Sequence, residues 1–168
     1  MMSKTISASL PTLTVVSLLL AGCGLGDIDV PSLPREGQWL GVWDAGEQTE
    51  EECEDCGTLS LEVVHDAAGE QAFVRNVSVT YLRVRGEVGG TYYDGTVELP
   101  ADTQIEVQAD RSFEVSDPNL EFSGVLAYWI SGLPGLGSSA QDIGLGSLRI
   151  YVDGCDCWVE SEWTAFPN

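Results

Sequence analysis

Basic residues are scarce in this chain of 168 residues, which has seven Lys and Arg against 27 Asp and Glu and a formal net charge of −20. Lysine occurs once, as Lys4, in the first segment of the chain. Nucleic acids and anionic lipid surfaces are bound through clustered basic side chains, because both partners are negatively charged. The composition therefore argues against nucleic-acid binding and against adsorption of the folded domain to anionic lipid through its own charge.

Helical periodicity and recognisable catalytic motifs are also lacking. Beyond residue 22, no window of a dozen residues has apolar side chains at the 3.6-residue spacing of a helix. Histidine occurs once, as His65 beside Asp66, and no nucleophile lies in the kind of turn that a Ser-His-Asp site requires. We therefore predict a surface histidine and a protein that is not an enzyme.

The N-terminal segment has a short polar start followed by an apolar run that ends at Leu20. This run is too short and too poorly flanked for a transmembrane helix and is typical of a signal peptide. It closes with Leu20-Ala21-Gly22-Cys23, which resembles the lipobox of bacterial lipoproteins. The resemblance implies that signal peptidase II removes residues 1–22 and that Cys23 carries diacylglycerol and an amide-linked acyl chain such as palmitate.

Residues 23–36 are predicted to be the lipidated cysteine and a flexible tether, because they combine glycines and two prolines without any periodic pattern. Fully extended, this tether would reach about 45 Å. Gly24 and Leu25 occupy positions where an inner-membrane retention signal commonly has Asp. The resemblance to lipoproteins thus implies an outer-membrane protein, held there by its lipid.

Apolar and polar side chains alternate with a period of two from Gly37 onward, as they do in half-buried β-strands. The alternation is clear in segment 59–63 and from Phe73 to Tyr81. It changes phase at Tyr81-Leu82, which predicts a β-bulge or a strand that changes sheets. Further strands are predicted at Tyr92–Leu99, Gln104–Gln108, Ser112–Val115, Leu120–Ile130, Ser147–Asp153 and Cys157–Ala165.

Short strands separated by turn signals such as Asp66-Ala67-Ala68-Gly69 are typical of all-β folds. We predict that residues 37–168 form one acidic all-β domain, a single antiparallel β-sandwich or barrel of about eight or nine strands. The segment Gly132–Gly146 contains five glycines and a proline. It is predicted to be a long flexible loop, which serves either as a surface connection or in binding.

Several short motifs of the domain resemble those of a group of uncharacterised exported bacterial β-domains. The motifs are Gly37-Gln38-Trp39-Leu40-Gly41, Ser112-Phe113, Phe122-Ser123-Gly124 and Trp163-Thr164-Ala165. The resemblance implies a fold and no catalytic residues, and the chain departs from it by having two close pairs of cysteines. The triplet Gly37-Gln38-Trp39 also resembles the G-x-W of lipocalins, which implies as an alternative a barrel that carries an apolar ligand.

Four cysteines follow Cys23, in the motifs Cys53-Glu54-Asp55-Cys56 and Cys155-Asp156-Cys157. An even number in an exported protein indicates disulfides, while a tetrathiolate zinc site and a redox pair are alternatives. Residues two apart in an extended strand have Cβ atoms too distant for a disulfide. We therefore predict that the bonds join the two motifs and close loops of about 100 residues.

The acidic run from Glu47 to Asp55 has six carboxylates in nine residues. Carboxylate oxygens are the ligands that Ca²⁺ prefers, although no EF-hand spacing is present and acidic runs of this kind are usually solvated loops. If the two cysteine motifs are joined, carboxylates from both would lie together. This hypothetical calcium site consists of Glu51, Glu52, Glu54, Asp55, Asp153 and Asp156.

Two aromatic pairs, Tyr92-Tyr93 and Tyr128-Trp129, lie in predicted strands. Neighbouring side chains on a strand point to opposite faces, so one member of each pair should be exposed. An exposed ring beside carboxylates is suited to stacking on a sugar, although core packing explains such pairs too. The sequence thus predicts a lipid-anchored interaction or structural module with an unknown envelope protein or glycan as partner, and calcium-assisted carbohydrate binding as an alternative.

Overall fold

The computed structural model describes residues 31–44, 55–85, 90–132 and 138–168 of the chain. These residues form nine strands and no helix, which confirms the predicted all-β class. The strands are β1 (Gly37–Asp44), β2 (Cys56–His65), β3 (Ala72–Arg85), β4 (Tyr92–Glu98), β5 (Ile105–Glu106), β6 (Ser112–Asp117), β7 (Leu120–Gly132), β8 (Ser138–Val152) and β9 (Cys157–Pro167). No helix among them is long and apolar enough to cross a membrane.

The strands form one antiparallel sheet in the order β4-β3-β2-β1-β9-β8-β7-β6, with β5 paired to β3 outside this path. The first strand lies between β2 and β9, so both ends of the domain meet in the middle of the sheet. Within this central pair, Trp43 lies opposite Trp163, and both side chains are buried. The sheet twists and curls around these side chains into a half-barrel.

The inner face of the half-barrel holds the core, and its largest side chains are aromatic. Phe122 stacks on Trp163 with 4.9 Å between ring centroids, and Phe113 lies 5.3 Å from Phe122. The indole nitrogens of Trp43 and Trp163 each donate a hydrogen bond of 3.0 Å to a strand carbonyl, those of Thr80 and Ser123. Each buried indole N–H therefore has a partner, as a core position requires.

The prediction of a loop at Gly132–Gly146 is wrong for most of this segment, because β8 begins at Ser138 and pairs with β7 and β9. The glycines have a packing role in the sheet. A Cβ on Gly144 would lie 2.8 Å from the Trp163 ring, and a Cβ on Gly146 would lie 2.7 Å from its Nε1. Gly124 on β7 lies under the same ring, where a Cβ would come within 2.4 Å.

The phase change at Tyr81-Leu82 corresponds to a shift of register between β3 and β4, from Tyr81 to Val84. Arg83 within this shift has a φ of +51°, which turns the strand locally and confirms the predicted bulge. A second shift lies between β2 and β3, next to Asn76, whose φ is also +51°. Both shifts increase the curl of the sheet.

Candidate functional site: a docked N-terminal segment and an exposed apolar face

Residues 31–36 lie across one end of the half-barrel and are bound to it. Arg111 donates hydrogen bonds to the carbonyl oxygen of Pro31 and, at 3.2 Å, to that of Leu33. The side chain of Leu33 packs against the core, and Pro34 is buried. This part of the predicted flexible tether is therefore a fixed part of the domain, because long-range contacts hold it that no local pattern reveals.

His65 and Trp39 hold the rest of the segment. The Nε2 of His65 lies 2.9 Å from the carbonyl oxygen of Pro34, which can only accept, so the ring donates. The amide of His65 donates to the carboxylate of Glu36 at 3.3 Å, and the indole of Trp39 donates to the carbonyl of Arg35 at 3.0 Å. The predicted surface histidine is half-buried and fastens the N-terminal segment to β2.

Behind the segment, Arg111 forms an ion pair with Asp142 of β8 at 3.7 Å. Asp142 is the buried charged residue of the described part of the chain, with 8% of its surface exposed. Arg111 also donates to the carbonyl of Leu126 at 3.2 Å. One guanidinium thus connects the N-terminal segment, β7 and β8, and it neutralises a carboxylate that would be costly to bury alone.

The two ends of the half-barrel can now be named. The docked end carries residues 31–36, the turn Asp66–Gln71 between β2 and β3, and the last residue of the chain, Asn168, whose amide bonds to Gln38. The cysteine end carries Cys56 at the start of β2 and the turn between β8 and β9 that contains Cys155. Residues 24–30, which follow Cys23, lie outside the described residues, and Pro31, the next residue in the sequence, belongs to the docked end.

An apolar surface lies on the outer face of the sheet between β1 and β7. We call it the apolar strip, and it consists of Leu40, Val42, Val125, Ala127, Ile143, Leu145, Thr164 and Phe166. Strand register aligns its members: Leu40 lies opposite Phe166, and Val125 lies opposite Leu145. About half of Leu40 and of Phe166 is exposed, at 46% and 44%.

Trp129 extends the strip toward the docked end. It lies on the same face of β7 as Val125 and Ala127, since residues two apart on a strand point the same way. Its side chain is 56% exposed and pairs in register with the uncharged Gln141. The strip and Trp129 thus form a continuous surface whose members, Thr164 apart, are apolar.

Among the described residues, charged side chains border the strip at two places: Glu62 of β2, opposite Gln38 and paired with Arg75 at 3.0 Å, lies beside it toward the docked end, and a larger group lies on the side of the cysteine end. The next row of outer-face residues includes Asp44, which lies opposite Glu162. Beyond it, Arg149 pairs with Glu160 at 3.0 Å and with Glu121 at 3.4 Å. The acidic surface therefore begins where the apolar strip ends.

The predicted disulfides between the two motifs are not found, because Cys155 is bonded to Cys157, with 5.2 Å between their Cα atoms. The prediction assumed an extended backbone around Asp156. In the structure these residues form a turn, in which Asp156 has a φ of +53° and its amide bonds to the carbonyl of Asp153. The turn brings the Cα atoms to an ordinary disulfide separation.

Cys56 is also disulfide-bonded. Its partner is not in the second motif, since Cys155 and Cys157 are bonded to each other. Cys53 and the predicted lipidation site Cys23 lie outside the described residues.

The residues of the hypothetical calcium site are only partly described. Glu51, Glu52 and Glu54 lie outside the described residues, and within those that are described no group of three metal-ligating side chains converges. Asp55 accepts a hydrogen bond of 3.0 Å from the amide of Arg85, and Asp156 accepts one from the hydroxyl of Tyr151. This bond raises the pKa of Tyr151, because the ionised phenol would face a carboxylate.

The two aromatic pairs lie at opposite ends of the half-barrel and do not form one site. As predicted, one member of each pair is exposed: Tyr92 and Trp129, at 41% and 56%. Tyr93 packs against the core and Gly154 near the cysteine end, and the guanidinium of Arg83 lies 4.9 Å above the ring of Tyr92. Tyr128 is half-buried. Only Trp129 belongs to a larger apolar surface.

A lipocalin-like site would lie inside the barrel, where the described residues place tryptophan and phenylalanine rings in contact. A pocket of about 690 Å³ lies instead between β5 and β6, which do not pair, and polar groups of Gln104, Gln108 and Glu114 contribute to its lining. Among the described residues, the surface rather than the interior is thus available to a partner.

One feature of the sequence indicates the apolar surface, although the period-two alternation of strands does not reveal it. Residues 122–141 include no Asp, Glu, Lys or Arg, although 20% of the whole chain is charged. This uncharged run covers most of β7 and the start of β8, and it includes Trp129. The rest of the strip comes from a later part of β8 and from β1 and β9, and only the sheet order brings β1 and β9 beside it.

Comparison with known proteins finds no match, since no protein-family model, no curated protein and no solved structure is significantly similar to this chain.

Proposed function

We propose that this chain is a lipid-anchored, non-enzymatic domain of the bacterial outer membrane, which acts in surface interaction or envelope structure. The lipobox-like segment Leu20-Ala21-Gly22-Cys23 supports the anchor. The observation that carries the proposal is the docking of residues 31–36. The chain is bound to the domain only eight residues after Cys23. A lipid on Cys23 would therefore hold this end of the half-barrel near the membrane.

The docking shortens the effective tether. Seven residues separate Cys23 from Pro31, and eight residue steps reach about 28 Å at full extension. The docked end therefore stays close to the bilayer, in contrast to the reach of about 45 Å expected of a wholly flexible segment. An anchored domain with a packed core and an exposed apolar face is suited to contact rather than to catalysis.

No observation in the described part of the chain favours calcium-assisted carbohydrate binding or transport of an apolar ligand over this proposal. The carboxylates of Asp55 and Asp156 at the cysteine end accept hydrogen bonds within the protein, and aromatic rings fill the inner face. Both alternatives remain separable by experiment, through a glycan array with and without calcium and through binding of an apolar fluorescent probe.

The anchor is tested by metabolic labelling with a fatty acid. Cys23→Ala should abolish the label, whereas Cys155→Ala combined with Cys157→Ala should keep it. A label that persists in the Cys23→Ala variant would overturn the proposal. The assignment to the outer membrane is tested by Gly24→Asp, which should move the acylated protein from the outer-membrane to the inner-membrane fraction.

A further inference from the structure

We propose that the apolar strip and Trp129 rest on the lipid bilayer, so that the domain lies tilted on the membrane with its docked end down. The inference depends on the proposed anchor at Cys23 and assigns a partner to the exposed face. That partner is the acyl-chain boundary of the bilayer. The proposal rests on the chemistry of the surface, its position, and the length of chain that leads to it.

The chemistry of the surface suits the membrane interface. Trp129 and Phe166 are 56% and 44% exposed, and they belong to the same outer face. Tryptophan prefers the boundary between headgroups and acyl chains, because its ring is apolar and its N–H is polar. The strip presents no charged side chain, so its desolvation is not opposed by the burial of ions.

The position of the surface follows from the docked segment. The N-terminal residues bind at the end of the half-barrel toward which Trp129 lies. A tether of about 28 Å keeps this end beside the bilayer. The contact is therefore intramolecular for an anchored chain, and even a weak affinity for lipid is effective at such a high local concentration.

A bilayer fits this surface better than a second copy of the chain does. With strands about 4.8 Å apart and residues of one face about 6.8 Å apart, four strands and three rows cover roughly 390 Å². A stable protein interface needs about 800 Å² from each partner. Two copies anchored in one membrane would share an orientation, so that the row of Asp44 and Glu162 would oppose its own counterpart.

The test uses the acylated protein, purified from membranes and reconstituted in phosphatidylcholine vesicles whose acyl chains carry bromine. Bromine quenches tryptophan fluorescence on contact, so the wild type should be quenched relative to its emission in unbrominated vesicles. Trp129→Phe should lose this lipid-dependent quenching. Trp158→Phe is the matched control, because Trp158 is 37% exposed on the outer face near the cysteine end, and it should leave the quenching unchanged.

A second pair of variants tests the strip itself. Leu40→Glu should abolish the quenching of Trp129, because a carboxylate in the strip resists transfer to lipid. Leu82→Glu is the matched control, because Leu82 is similarly exposed, at 43% against 46% for Leu40. It should leave the quenching of Trp129 unchanged, since Leu82 pairs with Cys56 at the cysteine end. Equal quenching in the wild type and in Trp129→Phe would overturn the inference.

Two further outcomes are informative. Emission from Trp129 that depends on the ratio of protein to lipid, and not on bromine, would assign the strip to a second copy and overturn the inference. Failure of the proposed function is distinguishable, because the protein would then lack an acyl chain and would not remain with the vesicles. An acylated protein that stays with the vesicles but shows no quenching contradicts only the inference.

Discussion

The guanidinium of Arg111 lies 3.7 Å from the carboxylate of Asp142, and both side chains are almost buried, with 13% and 11% of their surfaces exposed. The two residues come from the turn before β6 and from β8. Arg111 also binds the carbonyl of Leu33, so the same group that neutralises Asp142 holds the N-terminal segment. The position of the N-terminal segment on the domain thus depends on an internal ion pair.

Replacement of Arg111 by Met should lower the free energy of unfolding by about 3 kcal/mol, because it leaves the carboxylate of Asp142 buried without its cation. It should also release residues 31–36, since their carbonyl oxygens lose two hydrogen bonds. Urea unfolding measures the first effect, and faster exchange of the indole N–H of Trp39, which donates to the carbonyl of Arg35, measures the second.

The double variant Arg111→Met with Asp142→Leu is the control. It should recover much of the lost stability, because no unpaired charge remains, but exchange of the Trp39 indole N–H should stay fast. A double variant that is as unstable as Arg111→Met would show that the ion pair does not carry the effect.

The glycines under Trp163 lead to a second prediction. Gly144→Ala should destabilise the domain by about 1–3 kcal/mol, the usual range for overpacking. The reason is that its Cβ would lie 2.8 Å from Cζ3 of the indole. The same substitution made together with Trp163→Phe should cost less, because phenylalanine lacks that part of the ring. Thermal unfolding of the wild type, the two single variants and the double variant tests the prediction. A loss of stability from Gly144→Ala that is the same with and without Trp163→Phe would contradict it.

The same glycines show why part of the fold could not be predicted from the sequence. Strand positions were predictable, because alternation is a local property: the predicted Ser112–Val115 and Cys157–Ala165 correspond to β6 and β9. Gly144 and Gly146, by contrast, indicate a loop locally, and only contact with Trp163 explains them as strand residues. Such a contact joins residues far apart in sequence and leaves no periodic pattern.

The candidate site was predictable to a smaller extent. Exposure of Trp129 follows from alternation, but its connection to Phe166 and Leu40 depends on β1 and β9 lying side by side with β8. Docking of residues 31–36 depends on Arg111, about 80 residues away, and such a partner cannot be chosen from composition. The pairing of Cys155 with Cys157 depends on the positive φ of Asp156, which a strand pattern does not indicate.

The local disulfide changes the expected effect of reduction. A bond that closes a loop of three residues stabilises by about 1.6 kcal/mol in the entropic treatment, against about 4.7 kcal/mol for a loop of 100 residues. Cys155→Ser combined with Cys157→Ser should therefore lower the free energy of unfolding only slightly. Non-reducing peptide mapping should find Cys56 joined to Cys53, in a fragment separate from Cys155. A mapped link between the two motifs would contradict both statements.

The last prediction concerns acid stability and the turn between β2 and β3. The carboxylate of Asp66 accepts hydrogen bonds from the amides of Gln71, at 3.1 Å, and Glu70, at 2.7 Å, and these bonds lower its pKa below the ordinary value. A lowered pKa in the folded state adds stability that is complete above the pKa of the unfolded chain, near 4, and that is lost as the pH falls through the folded value.

Asp66→Asn keeps the oxygen acceptor but removes the titration, so the wild type should unfold at a higher temperature than this variant at pH 7. The difference should shrink as the pH is lowered from about 4 to about 2, where the wild-type carboxyl group also becomes neutral. Asp102→Asn, at an exposed position in the turn after Leu99, is the matched control for the loss of one exposed carboxylate. The carboxylates other than those of Asp66 and Asp102 are the same in all three proteins, so a comparison of melting temperatures isolates Asp66. A difference between wild type and Asp66→Asn that is the same at pH 7 and pH 2 would show that the charge of Asp66 does not stabilise the turn on which the docked end is built.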